Sequence, residues 1–68
     1  MKPPKKLHDY LHFIEIIYGG TMDRNGIVEC IAANIVFYKN GFVGRNTFRK
    51  VEKHFIDLLH YNILFVNN

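Results

Sequence analysis

The longest apolar run of this 68-residue chain lies in TMDRNGIVECIAANIVFYKNG, residues 21–41. From Ile27 to Tyr38, only Glu29 and Asn34 interrupt the apolar residues. A pair of alanines favours a helix, whereas the β-branched and aromatic residues before the Asn-Gly pair are also typical of a strand and hairpin. We predict a helix over about 22–40, because Gly41 followed by Phe42 fits a Schellman ending, in which the aromatic residue packs back on the last turn. A helix this apolar belongs at the centre of a fold.

Two amphipathic segments flank the central helix. Apolar side chains repeat at helical spacing over 7–18, and Gly19-Gly20 ends that segment. Asn46 is a good N-cap for a third helix that ends at about residue 61. The sequence therefore predicts an all-α fold of three helices, over about 7–18, 22–40 and 46–61. The residues expected to face the core from the two flanking helices are Leu7, Tyr10, Leu11, Ile14, Ile17, Tyr18, Phe48, Val51, Phe55, Leu58 and Leu59.

The ends of the chain differ in character. Residues 1–6 are predicted to be a flexible basic lead-in, and residues 7–68 a single helical domain. Four consecutive apolar residues predict a C-terminal tail that either folds back on the helices or inserts into a partner. They are Ile63, Leu64, Phe65 and Val66.

Hydrophobic residues make up 49% of the chain, a large share for one small core. We therefore expect a homodimer in which a second copy covers the central helix. Asn34 is a polar residue in the middle of that helix. Such a residue either sets the register of a helical dimer or faces a loop, and we assign it to the partner interface together with the tail.

Composition excludes several classes of protein. The hydrophobic content is too high for a disordered chain. The single cysteine, Cys30, excludes an internal disulfide framework and a cysteine-rich zinc fold, and it is expected to act as a small buried hydrophobe. Uncharged stretches are too short to cross a membrane, and the basic start lacks a signal-peptide cleavage site. We expect a cytoplasmic protein with no membrane partner.

Positive charge is concentrated in one segment. Five basic residues and one acid lie between residues 39 and 53, a net charge of +4 in a chain whose formal net charge is +3. Arg49 and Lys53 repel each other at four-residue spacing near a helix start, where the helix dipole prefers acids. This arrangement favours phosphate contact, and an ordinary solvated face is the alternative. The predicted nucleic-acid-binding residues are Lys39, Arg45, Arg49, Lys50 and Lys53.

Histidine spacing offers two further hypotheses. His8 and His12 stand four apart on one helix, which makes them candidate metal ligands, although solvent-facing histidines explain the same pattern. Arg49 and His54 have the Arg-x4-His spacing of HEPN-type ribonucleases, and the segment resembles that family in this respect. The resemblance implies an RNA backbone shared by Arg and His of two protomers. We expect no cofactor and no enzymatic activity, because the sequence contains no recognisable set of nucleophile, base and orienting group.

Two functions remain after these exclusions. The first is a small non-enzymatic nucleic-acid-binding or regulatory module with a basic third helix and an arm formed by Lys2, Lys5 and Lys6. The alternative is a protein-interaction module, such as an inhibitor, adaptor or assembly factor of phage, plasmid or viral type. It would dock through the apolar tail and an aromatic rim. The rim residues are Phe13, Tyr10, Tyr18, Tyr38 and Tyr61.

Overall fold

The computed structural model describes residues 2–66, which form three helices and, within that range, no strand. They are α1 (Leu7–Tyr18), α2 (Arg24–Lys39) and α3 (Arg45–Phe65). The predicted all-α class and the helix count are confirmed, and the bounds of α1 agree with the prediction. The expected domain also included Asn67 and Asn68, which lie outside the described residues.

The junction between α1 and α2 depends on glycines. Gly20 has a φ of 57°, in the left-handed region that glycine adopts at little cost. Asp23 caps α2, since its Oδ1 accepts a hydrogen bond from the backbone N–H of Gly26 at 2.9 Å. A Cβ atom at Gly26 would overlap the carbonyl oxygen of Gly19. The start of α2 therefore approaches the end of α1 more closely than any other residue type would permit.

The junction between α2 and α3 has the glycine ending that the sequence predicts. Gly41 has a φ of 78°, and its N–H donates to the carbonyl of Tyr38 at 3.0 Å. The N–H of Phe42 donates to the carbonyl of Phe37 at 2.9 Å, which completes a Schellman motif. The Phe42 ring packs edge-on against Phe37, with centroids 6.2 Å apart. The short connection turns the chain back onto α2, so that Phe48 of α3 contacts both Tyr38 and Asn34 of α2.

Side chains from all three helices and from the α2–α3 loop form one core. Its fully buried apolar members are Tyr10, Ile14, Ile27, Cys30, Val51 and Phe55. Leu7 and Ile17 were predicted to face this core and are exposed instead. Phe13 packs there in their place, with its ring centroid 5.9 Å from that of Phe37. The buried face of α1 is thus rotated towards Phe13, because α2 offers an aromatic cluster on that side.

The predicted C-terminal tail is the last turn of α3, so the prediction of a separate tail is wrong. Ile63, Leu64 and Phe65 are helical, and the N–H of Val66 donates to the carbonyl of Asn62 at 3.1 Å. The physical reason is that no glycine or proline stops the helix at residue 61, and continuing it satisfies further backbone groups. With 21 residues against 16, α3 is longer than α2 by about 7.5 Å.

Helix α2 is central but only partly covered. It packs against both other helices, while Val28 and Val36 on its outer side are exposed. The expectation of an α2 buried all round therefore does not hold within one protomer. At the N-terminus, Pro3 is buried and Lys5 lies beside the loop Gly41–Gly44. Part of the lead-in thus rests against the domain.

Candidate functional site

Four basic side chains follow the exposed side of the first half of α3, and we call them the basic strip: Arg45, Arg49, Lys50 and Lys53. Their three- and four-residue spacings bring them to neighbouring positions on the helix surface. A shallow concavity runs along this side and is lined by Asn46, Arg49, Lys50, Glu52, Lys53 and Ile56. Three predicted binding residues, Arg49, Lys50 and Lys53, line this concavity, and Arg45 is exposed one turn before Arg49.

The basic strip keeps most of its positive charge. Lys53 Nζ donates to Asp57 Oδ2 at 2.7 Å, and this hydrogen bond lowers the pKa of the Asp57 carboxyl. Within residues 2–66, no ion pair involves Arg45, Arg49 or Lys50. Their guanidinium and ammonium groups thus have donors available for an anion.

The start of α3 adds backbone donors to the basic strip. Gly44 is the N-cap residue and provides no side-chain hydrogen bond, so the prediction of Asn46 as the cap is wrong. Asn46 is the second residue of the helix, because the helical hydrogen bonds begin with the N–H of Phe48 donating to the carbonyl of Gly44. The first N–H groups of α3 therefore lack a capping side chain and favour an anion there. Lys39 and Lys5 lie at or beside the same loop.

Two of the four histidines, His8 and His12, lie side by side on α1. The rings of His8 and His12 have centroids 5.0 Å apart, and both are exposed. Among residues 2–66, no group of three or more His, Cys, Asp or Glu side chains is arranged to hold a metal ion. Glu15 lies instead near α3, where its Oε2 is 3.7 Å from His54 Nε2. His54 is therefore turned towards α1, while Arg49 lies on the basic strip.

Asn34 occupies the middle of the protomer, which corrects its assignment to a partner interface. It is 1% exposed. The Tyr10 hydroxyl donates to Asn34 Oδ1 at 2.6 Å, and Asn34 Nδ2 donates to the carbonyl of Phe48 at 3.1 Å. One carboxamide thus joins all three helices. Burial raises the pKa of Tyr10 to about 12, and the nearby Tyr18 adds to the effect.

The aromatic rim is smaller than the sequence predicts. Tyr10 is in the core, and the Tyr38 ring stacks on Phe48 with centroids 4.2 Å apart. Of the four tyrosines, Tyr61 alone is exposed. Cys30 is also buried; its Sγ donates to the carbonyl of Ile14 at 3.7 Å, and burial raises its pKa to about 11. This thiol therefore stays protonated at neutral pH and fits a core role.

A second surface lies at the other end of α3. We call it the apolar end, and it consists of Tyr61, Ile63, Leu64, Phe65 and Val66, all of which are exposed. Asn62 lies among them but is only 8% exposed, and its Oδ1 has no hydrogen-bond partner. Sequence reasoning singled out the neighbours of Asn62 and missed Asn62. The signal that could have found it is its place three residues after Leu59, on the side of α3 that faces the core.

Comparison of the chain with known protein families, with curated proteins and with solved structures finds no match. The candidate site is therefore defined by its own geometry. None of the helices described over residues 2–66 combines the length and the hydropathy that a membrane crossing requires.

Proposed function

We propose that this protein is a small non-enzymatic module that binds nucleic acid through the phosphate backbone. The observation that carries the proposal is the basic strip, which is exposed along one side of α3 beside a helix start without a capping side chain. Both features attract anions and both lie at the same end of the helix.

The side chains of the basic strip suit contacts to phosphate groups that do not depend on the base sequence. Each arginine offers a planar fork of donors to a phosphate, and each lysine offers a point charge. An α-helix fits the major groove of a duplex, which would bring both sides of the strip near the two backbones. Lys39 is exposed at the end of α2, and Lys5 lies beside the α2–α3 loop, so both add positive charge near the start of α3.

Fluorescence anisotropy with a labelled generic duplex tests the proposal. Binding that depends on phosphate contacts must weaken steeply between about 50 and 200 mM salt, because each contact releases counterions. Arg49→Glu should reduce affinity by at least about tenfold at low salt, since it replaces an attraction to phosphate by a repulsion.

Arg24→Glu is the matched control. Arg24 is exposed at the start of α2, at the opposite end of that helix from the loop that leads into α3. Each variant changes the net charge by two, from +3 to +1. Equal losses in the two variants would mean that net charge alone drives binding. Absence of binding at low salt would make the basic strip an ordinary solvated face.

The apolar end favours a second candidate, a protein-interaction module. Its side chains are exposed although they are among the most hydrophobic of the chain, and exposed apolar patches commonly mark binding surfaces. We include a homodimer in the proposal, supported by exposed apolar side chains on all three helices. Capture of a different protein through the apolar end, with no self-association, would favour an adaptor or inhibitor instead.

A further inference from the structure

We propose that His8 and His12 form a surface site for a borderline transition-metal ion such as Zn²⁺, held between the first and second turns of α1. The pair belongs to α1 and the basic strip to α3, so this inference does not depend on the nucleic-acid proposal. Three observations carry it: the distance between the two imidazole rings, the exposure of both side chains, and the charges around them.

The distance between the two rings fits one shared ion. Residues four apart lie one above the other on the same face of a helix, and the ring centroids of His8 and His12 are 5.0 Å apart. An imidazole nitrogen binds Zn²⁺ at about 2.0–2.1 Å, which places each ring centre about 3.2 Å from the ion. At nitrogen–metal–nitrogen angles of about 90–110°, the two ring centres are therefore about 4.5–5.2 Å apart. The observed separation lies in this range, so rotation of the rings about their soft terminal torsions can bring one nitrogen of each to the same ion.

Both imidazoles are accessible to an ion. His8 and His12 are exposed, and over residues 2–66 no hydrogen bond or ion pair engages either ring. Neutral imidazole is a preferred ligand of Zn²⁺, and two imidazoles on one helix bind it without the cost of ordering a loop. In the same part of the chain no third His, Cys, Asp or Glu completes the set. Water therefore fills the remaining coordination positions, and the site is an open chelate on the helix surface.

The charges near the pair balance one another. Lys5 and Lys6 lie just before α1, and the start of a helix is the positive end of its dipole. Asp9 and Glu15 stand three residues before and three residues after His12, and their carboxylates offset the two ammonium groups. Affinity for a cation must then come from the imidazole lone pairs. This favours Zn²⁺ over Mg²⁺, which prefers oxygen ligands.

A shared ion would also stabilise the start of α1. Lys6 is the N-cap residue and provides no side-chain hydrogen bond, so the first turn lacks a capping side chain. An ion bound by His8 and His12 would tie this turn to the second. Because the unfolded chain does not hold the two rings together, the ion binds the folded state preferentially and raises its stability by mass action.

Equilibrium dialysis against Zn²⁺ at about pH 7.5 tests the proposal on the full chain prepared without a histidine tag, since free imidazole is mostly neutral at that pH. We expect one Zn²⁺ per chain. His8→Gln and His12→Gln should each weaken binding at least about tenfold, because even the loss of a residue that only orients a ligand costs this much. His60→Gln is the matched control and should bind like the wild type. His60 is exposed on α3, with no histidine three or four residues away.

The urea midpoint followed by circular dichroism gives a second measurement and checks that each variant is helical without metal. Zn²⁺ at about ten times its dissociation constant should raise the midpoint of the wild type and of His60→Gln, but not that of His8→Gln. Absence of binding at about 1 mM Zn²⁺ would overturn the proposal. A loss in only one of the two α1 variants, an equal loss in His60→Gln, or equally tight binding of Mg²⁺ would overturn it too. Each of these results would assign the ion to ligands other than the shared pair.

Discussion

Two buried asparagines, Asn34 and Asn62, have opposite surroundings. Asn34 accepts from Tyr10 and donates to the carbonyl of Phe48, so its carboxamide joins the three helices. Asn62 is almost as buried, yet its Oδ1 has no partner. The contrast teaches that burial alone does not reveal the role of a polar residue. The hydrogen bonds that its atoms make distinguish a polar residue that stabilises the core from one that costs stability there.

The largest effect is expected from Asn34→Leu. The substitution leaves the Tyr10 hydroxyl and the Phe48 carbonyl without their partner in the interior. The loss in the free energy of unfolding should be about 3 kcal/mol, a large fraction of the total for a small domain. Urea denaturation followed by circular dichroism measures it. A loss below about 1 kcal/mol would mean that leucine packing compensates for the lost hydrogen bonds. Asn34 would then not differ from Asn62 in its contribution to stability.

Tyr10→Phe removes one bond of the same network and should cost about 1–2 kcal/mol, because Asn34 Oδ1 loses its donor. It should also change the pH dependence. Burial raises the pKa of Tyr10 from 10.0 to about 12, so the folded protein holds this proton more tightly than the unfolded chain. Its stabilising contribution is full below pH 10.0 and is lost as the pH rises towards about 12.

The urea midpoint of each protein is measured at about pH 8 and at about pH 11. The lower value is about two units below the unfolded pKa of Tyr10, 10.0, and the higher value lies between that pKa and the folded pKa of about 12. The wild type should lose more stability than Tyr10→Phe over this range. Cys30, whose pKa is raised to about 11, contributes in the same direction to both proteins and cancels in the comparison. Parallel pH profiles would contradict the buried, hydrogen-bonded phenol.

Asn62→Leu should act in the opposite direction to Asn34→Leu. Removing a buried oxygen that has no partner should raise the stability of the monomer by about 1 kcal/mol. Urea denaturation followed by circular dichroism compares the variant with the wild type. A loss comparable to that of Asn34→Leu would show that Asn62 has a structural partner, and the distinction between the two asparagines would fail.

Lys53→Gln should give the smallest effect. Its bond to Asp57 is 2.7 Å long, nearly as short as the 2.6 Å bond between Tyr10 and Asn34. Both side chains are exposed to water, so solvent screens the pair and the urea midpoint should not change measurably. A clear shift of the midpoint, abolished by high salt, would indicate that this pair is stronger than its exposure implies.

Local signals predicted much of the fold. The helical spacing of apolar residues identified α1, the alanine pair indicated the central helix, and Gly41 followed by Phe42 identified the Schellman ending. These features depend on neighbours within one or two turns. The end of α3 was misjudged because no local stop signal separates residue 61 from Phe65. The side chains of the basic strip are exposed on α3, as helical spacing alone implies, and their role as a binding surface stays a prediction.

The sequence by itself determined three helices, their glycine junctions and the concentration of positive charge at the start of α3. These follow from backbone preferences and side-chain periodicity within short segments. Only the tertiary structure decided that Asn34 joins the helices, that Gly26 touches Gly19, and that Asn62 is left without a partner. Hydrogen-bond partners and close approaches depend on atoms far apart along the chain, which local patterns do not specify.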